Sequence, residues 1–152
     1  MLIRLLATGS AVMVIAACHG DGMMPMSPTG MMDSGAVFAS NGETIFRTGR
    51  NQAGIVMQDL SRSEMPMAHA CVSCHGPNGE GMSMLMMGRS PPSIRFRDLS
   101  DPAQHRVPYT ETLLKRFLDQ ETKSDGTPAR TGVAWKMSEQ DEDDLIAFLK
   151  TL

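Results

Sequence analysis

The chain has 152 residues, 41% hydrophobic and 20% charged, with seven aromatics and a formal charge of −3. That length fits one small domain plus trimmings and leaves little room for two, and an acidic balance with no basic stripe argues against a nucleic-acid partner. So few aromatics leave a core short of side-chain volume, 14 Gly and 9 Pro imply many turns, and 15 Met are a strong excess.

Residues 1–17 read as an export segment. Arg4 is the only charge before residue 19, and residues 5–17 are apolar or small, interrupted by Thr8, Gly9 and Ser10. A short positive region followed by such a run is too short to span a bilayer comfortably. It ends Ile15-Ala16-Ala17-Cys18, which resembles the bacterial lipoprotein signal, in which small residues precede a cysteine that is lipidated and becomes the first residue. The other reading is an ordinary signal peptide cut after Ala17. Lipidation of Cys18 is the expectation, because exported chains seldom leave a lone exposed thiol. Both readings put the mature chain outside the cytoplasm, and the first ties it to a membrane on the periplasmic side.

Residues 18–36 show no hydrophobic period and many Gly and Pro, which predicts a flexible tether. It carries Met23, Met24, Met26, Met31 and Met32, with His19 nearby. Thioethers suit Cu(I), so a weak copper site is one reading and a Met-rich spacer the other. Residues 37–152 form the expected domain. Residues 37–49 predict a short helix, started by Ser40 or Asn41, ended by Gly49 and packed through Phe38, Ile45 and Phe46. Residues 50–70 have no sustained period, and Ile55, Val56, Met57 and Leu60 suggest a brief packed segment.

Cys71-Val72-Ser73-Cys74-His75, followed by Gly76, is the attachment signature for c-type haem. On a helical turn, residues three apart share a face, so both sulfurs can reach the two haem vinyl groups. His75 can then place an imidazole nitrogen on the iron. No strand pattern of a thioredoxin-like unit precedes residue 71, and no second Cys or His pair at zinc-ligand spacing is evident. Residues 76–108 predict loops, with turns at Asn78-Gly79 and Gly81, a dense apolar run through Met82, Met84, Leu85, Met86 and Met87, and a rigid Ser90-Pro91-Pro92. Residues 110–120 predict an amphipathic helix with Leu113, Leu114, Phe117 and Leu118 on one face. Residues 121–134 predict a second loop. Residues 138–152 carry the clearest helix signal: Ser138 as N-cap, Asp141 three residues on, and Leu145, Ile146, Phe148, Leu149 and Leu152 as the apolar face. Met137 stands where a hydrophobic staple belongs.

From residue 37 to 152 the chain resembles a class I c-type cytochrome, through Gly42 and Phe46 in the first helix, the motif at 71–76, and Leu145 and Phe148 in the last. The resemblance implies a small all-α fold wrapped round one covalent haem c, which would supply the missing core mass. It implies crossed first and last helices, with Gly42 against Phe148. It further implies single-electron transfer between transient redox protein partners. It also implies that a backbone carbonyl at Pro91 or Pro92 accepts the second N–H of His75. Arg95 and Arg97 are candidates for the haem propionates, with solvated surface charge as the other reading. Trp135 is a candidate cover for the haem edge.

Two departures stand out. Residues 50–70 separate Gly49 from Cys71, where the family usually keeps helix and motif close. The family's sixth ligand, a Met some six to eight residues before the last helix cap, is missing: Arg130, Thr131 and Gly132 stand there. Three readings follow. Met137 is the candidate distal ligand, against its reading as a staple. Another loop can supply it through Met65, Met67, Met84, Met86, Met87, His69 or His105. Or the iron is open, and the protein is a haem sensor or a peroxidase-like enzyme. The leading expectation is an electron carrier and not an enzyme.

Overall fold

The computed structural model describes residues 38–65, 70–83 and 90–152. The signal at 1–17, Cys18, the tether at 18–36 with its methionines and His19, and Met67, His69, Met84, Met86 and Met87 lie outside the described residues.

Helix α1 (Asn41–Thr48) begins and ends where its local chemistry directs. The Ser40 hydroxyl accepts the Glu43 N–H at 3.1 Å, and the Glu43 carboxylate reaches back to accept the Ala39 N–H at 3.2 Å. Together they satisfy two donors that a helix start leaves free, worth about 1 kcal/mol for the cap alone. Gly49 closes the helix at φ 69° and donates to the Ile45 carbonyl. The single turn α2 (Cys71–His75) follows, then α3 (Phe96–Leu99), α4 (Glu111–Gln120) and α5 (Glu139–Leu149). Thr110 caps α4 and Ser138 caps α5, each accepting an N–H three residues on. Among the described residues there is no strand, only isolated bridges at Arg50–Val56, Gln58–Trp135 and Thr122–Pro128.

The fold is all-α, and α5 is its hub. It crosses α1 and packs along α4, while α1 also touches α2. Ile45, Phe46, Met57, Leu145 and Ile146 are almost wholly buried where these elements meet, and α4 adds Leu114 and Leu118. Burial of each such side chain contributes roughly 1.5–3 kcal/mol. Lys115 to Asp143 and Lys150 to Glu111, both at 2.6 Å, run α4 antiparallel to α5.

Three expectations are corrected. Of the suggested packed segment, Met57 is buried, but Ile55 is 59% and Leu60 53% exposed, because this stretch is extended and turned and shares no helical face. The short α3 falls inside a stretch expected to be loop; four residues carry no readable period. Gly42 does not chiefly meet the Phe148 ring. A Cβ at Gly42 would overlap the Asp144 carbonyl and stand 3.0 Å from the Leu145 nitrogen, so the two helices meet backbone to backbone. Phe148 lies one turn further on, its ring 5.3 Å from that of Phe46.

Asn41 locks this crossing, donating to Asp141 at 3.0 Å and Asp144 at 2.8 Å. Burial would raise the Asp141 carboxyl, but hydrogen bonds from Asn41, Ser138 and Asn51 outweigh it and hold the group below its ordinary value. Gly42→Ala is expected to lower stability by about 3 kcal/mol, the upper end of the cost of overpacking, although Ala is the better helix former. Thermal unfolding of the haem-loaded protein checks this.

Candidate haem site

The turn α2 is short and lacks a side-chain cap at Ala70; Gly76 ends it at φ 79° by donating to the Val72 carbonyl. Cys71 and Cys74 lie one turn apart on one face, and both are free thiols. Cys71 belongs to the core and is 9% exposed, whereas Cys74 is partly exposed. Burial pushes the Cys71 thiol up to about 12, with the neighbouring Cys74 adding to the effect, and burial also raises Cys74.

Among the described residues the His75 ring is held by one bond. Its Nδ1 lies 2.7 Å from the Pro92 carbonyl oxygen. A carbonyl only accepts, so Nδ1 carries the proton and Nε2 keeps its lone pair. Burial lowers the His75 pKa and the Pro92 bond partly opposes it, which leaves the imidazole neutral, the form that binds a metal. Of the two carbonyls the resemblance allowed, the structure places that of Pro92 here.

A backbone ladder presents Pro92. Gly81 N donates to the His75 carbonyl at 2.8 Å, Met82 N to Pro91 at 3.1 Å, and Ile94 N to Gly79 at 2.8 Å. Gly81, at φ 86°, must be glycine for two reasons. Its backbone is left-handed, and a Cβ there would stand 2.7 Å from the Pro91 oxygen and 2.9 Å from the Pro92 carbonyl carbon.

Elsewhere in the domain, residues 57–65 run beside residues 132–136. Lys136 N donates to the Met57 carbonyl, Asp59 N to Ala134, and both Glu64 N and Met65 N to Gly132. Ser63 and Arg62 add side-chain bonds to Ala134 and Trp135. This pairing is invisible to a search for periods, since backbone groups carry it across some seventy positions.

The remaining candidates are spread out. Met65 sits against Gly132, its Cγ 3.5 Å and Sδ 3.8 Å from where a Cβ on that glycine would lie. Met137 is partly buried against the core. Its staple partner would be Glu142, a carboxylate, so no apolar staple pair is available. His105 packs edge-on against Tyr109, with centroids 5.4 Å apart. Arg95 donates from Nε to the Asn78 carbonyl and stands 3.8 Å from Glu80. Arg97 is exposed beside Asp98. Trp135 is partly buried against the core.

The donor set fits a covalent haem: two free thiols one turn apart, and beside them an imidazole with Nδ1 committed and Nε2 available. Among the described residues no group of three or more His, Cys, Asp or Glu is placed to hold a metal ion such as zinc. The cytochrome c family model matches residues 63–152, more than half of the chain. No curated protein and no solved structure matches it. With its all-α fold, the chain therefore belongs to the cytochrome c family as a class I c-type cytochrome, bearing covalent haem c and serving electron transfer.

Proposed function

We propose that the protein is a monohaem electron carrier anchored to a membrane and facing the periplasm. In this reading Cys71 and Cys74 hold the haem through thioether bonds, and His75 is the proximal ligand of the iron. The observation that carries it is the His75 Nδ1–Pro92 bond of 2.7 Å on the turn that bears both thiols. When bound, the haem supplies a one-electron iron couple, and its potential follows from axial ligands, burial and nearby hydrogen bonds.

The chain's own residues supply the rest. Pro92 keeps a proton on Nδ1, orients the ring and makes Nε2 a stronger donor. Gly81 lets the 91–93 segment come close enough to do so. The buried α1–α5 core keeps water from that side of α2. A lipid on Cys18 provides the anchor, with residues 18–36 between it and the domain. Redox partners dock weakly on a small patch, below about 1,200 Å². Loss of Arg4 with the signal takes the charge from −3 to −4, which favours partners with a basic patch.

His75→Ala is expected to abolish the reversible wave in protein-film voltammetry, and an unchanged wave would sink the assignment of His75. Gly81→Ala is expected to shift the midpoint potential and lower the thermal midpoint. Gly126→Ala is the matched control: it has φ 85° and open space around it. It should cost only the roughly 1–2 kcal/mol of left-handed backbone and leave the potential alone. Cys18→Ser is expected to move the protein from the membrane fraction to the soluble periplasmic fraction; continued membrane association counts against the lipid anchor.

A further inference from the structure

We propose that Met65 supplies the sixth ligand to the haem iron, reaching it from the segment between α1 and α2. The inference rests on the attachment reading for Cys71, Cys74 and His75. Gly132 stands six residues before the cap of α5 and has no side chain to offer. The Met65 thioether packs in van der Waals contact with the position where a side chain at residue 132 would begin, with Sδ 3.8 Å and Cγ 3.5 Å from the Cβ site. Met65 therefore stands beside the position from which the resemblance would bring the ligand.

Three hydrogen bonds fix Met65 there. Its N–H and that of Glu64 both donate to the Gly132 carbonyl, at 3.1 Å and 2.9 Å. Its own carbonyl accepts from Gln58 Nε2 at 2.7 Å. Gln58 is 5% exposed, and among the described residues its Oε1 finds no hydrogen-bond partner. Burying an amide with half its capacity unmet costs roughly 1–3 kcal/mol. A surface turn has no need of such a device, whereas a side chain that must be held to a fraction of an ångström does. A thioether is also neutral, so a low-dielectric site takes it without a charge penalty.

Met137 is bound differently. The Lys136 N–H donates to Met57 at 2.8 Å on one side, and the Ser138 cap begins α5 on the other. Its side chain is already spent on the core. Swinging it away would open a cavity and strain the cap together.

The test is the visible spectrum of the oxidised, haem-loaded protein, read at the weak Met-to-iron charge-transfer band near the red end. The wild type is expected to show the band. Met65→Leu should lose it and, once reduced, bind CO rapidly, with circular dichroism unchanged. Met65→His should restore a low-spin spectrum without the band, and Met137→Leu should keep it. A wild type without the band, or a Met65→Leu protein that retains it, overturns the proposal, and loss in Met137→Leu alone transfers the role to Met137. The mass of the 71–76 peptide reports haem attachment separately. Haem mass present with the band pattern wrong overturns Met65 only, whereas haem mass absent overturns the attachment reading and this proposal with it.

Discussion

Backbone meets backbone where α1 crosses α5, and this contact sets the position of nearly everything that follows. Gly42 leaves no side chain between the helices, Asn41 ties both Asp141 and Asp144, and Phe46 and Phe148 close the next turn. The start of α5 is thereby fixed, and with it the loop that runs into Ser138. That loop is in turn the template for residues 57–65, which bond to it through Lys136, Ala134 and Gly132. A displacement at the crossing would travel through covalent and hydrogen-bonded links to both segments.

Two carbonyl oxygens, those of Pro92 and Gly132, each gather a separate segment. The first orients His75, and the second gathers Glu64 and Met65. Each depends on a glycine with positive φ: Gly81 behind Pro92, and Gly132 itself. Main-chain groups held in ladders have little freedom to reorient. The Pro92 carbonyl therefore meets His75 as a dipole already in place.

Helices α1, α4 and α5 were legible in the sequence because their signals are local: a capping hydroxyl, a run at helical spacing and a terminating glycine. The haem motif was legible for the same reason, being five contiguous residues. The short α3 was not, since four residues span barely one turn. The register of the crossing was half legible. Gly42 signals close approach, but which part of α5 approaches depends on how the helices slide, and that brought Asp144 and not Phe148 to the contact. The pairing of residues 57–65 with 132–136 was not legible at all, because main-chain bonds carry it and they leave no trace in residue type. Only Gly132 hinted at it, and only as the place where an expected Met was missing.

The same crossing also fixes an order of events. Asn41 and Asp144 are 103 positions apart, so the seal between the chain's two ends forms only after nearly the whole domain is available, and such distant contacts come late in folding. The α2 turn is too short to persist alone. With the ends closed, Cys71 lies in the core, and burial pushes its thiol up.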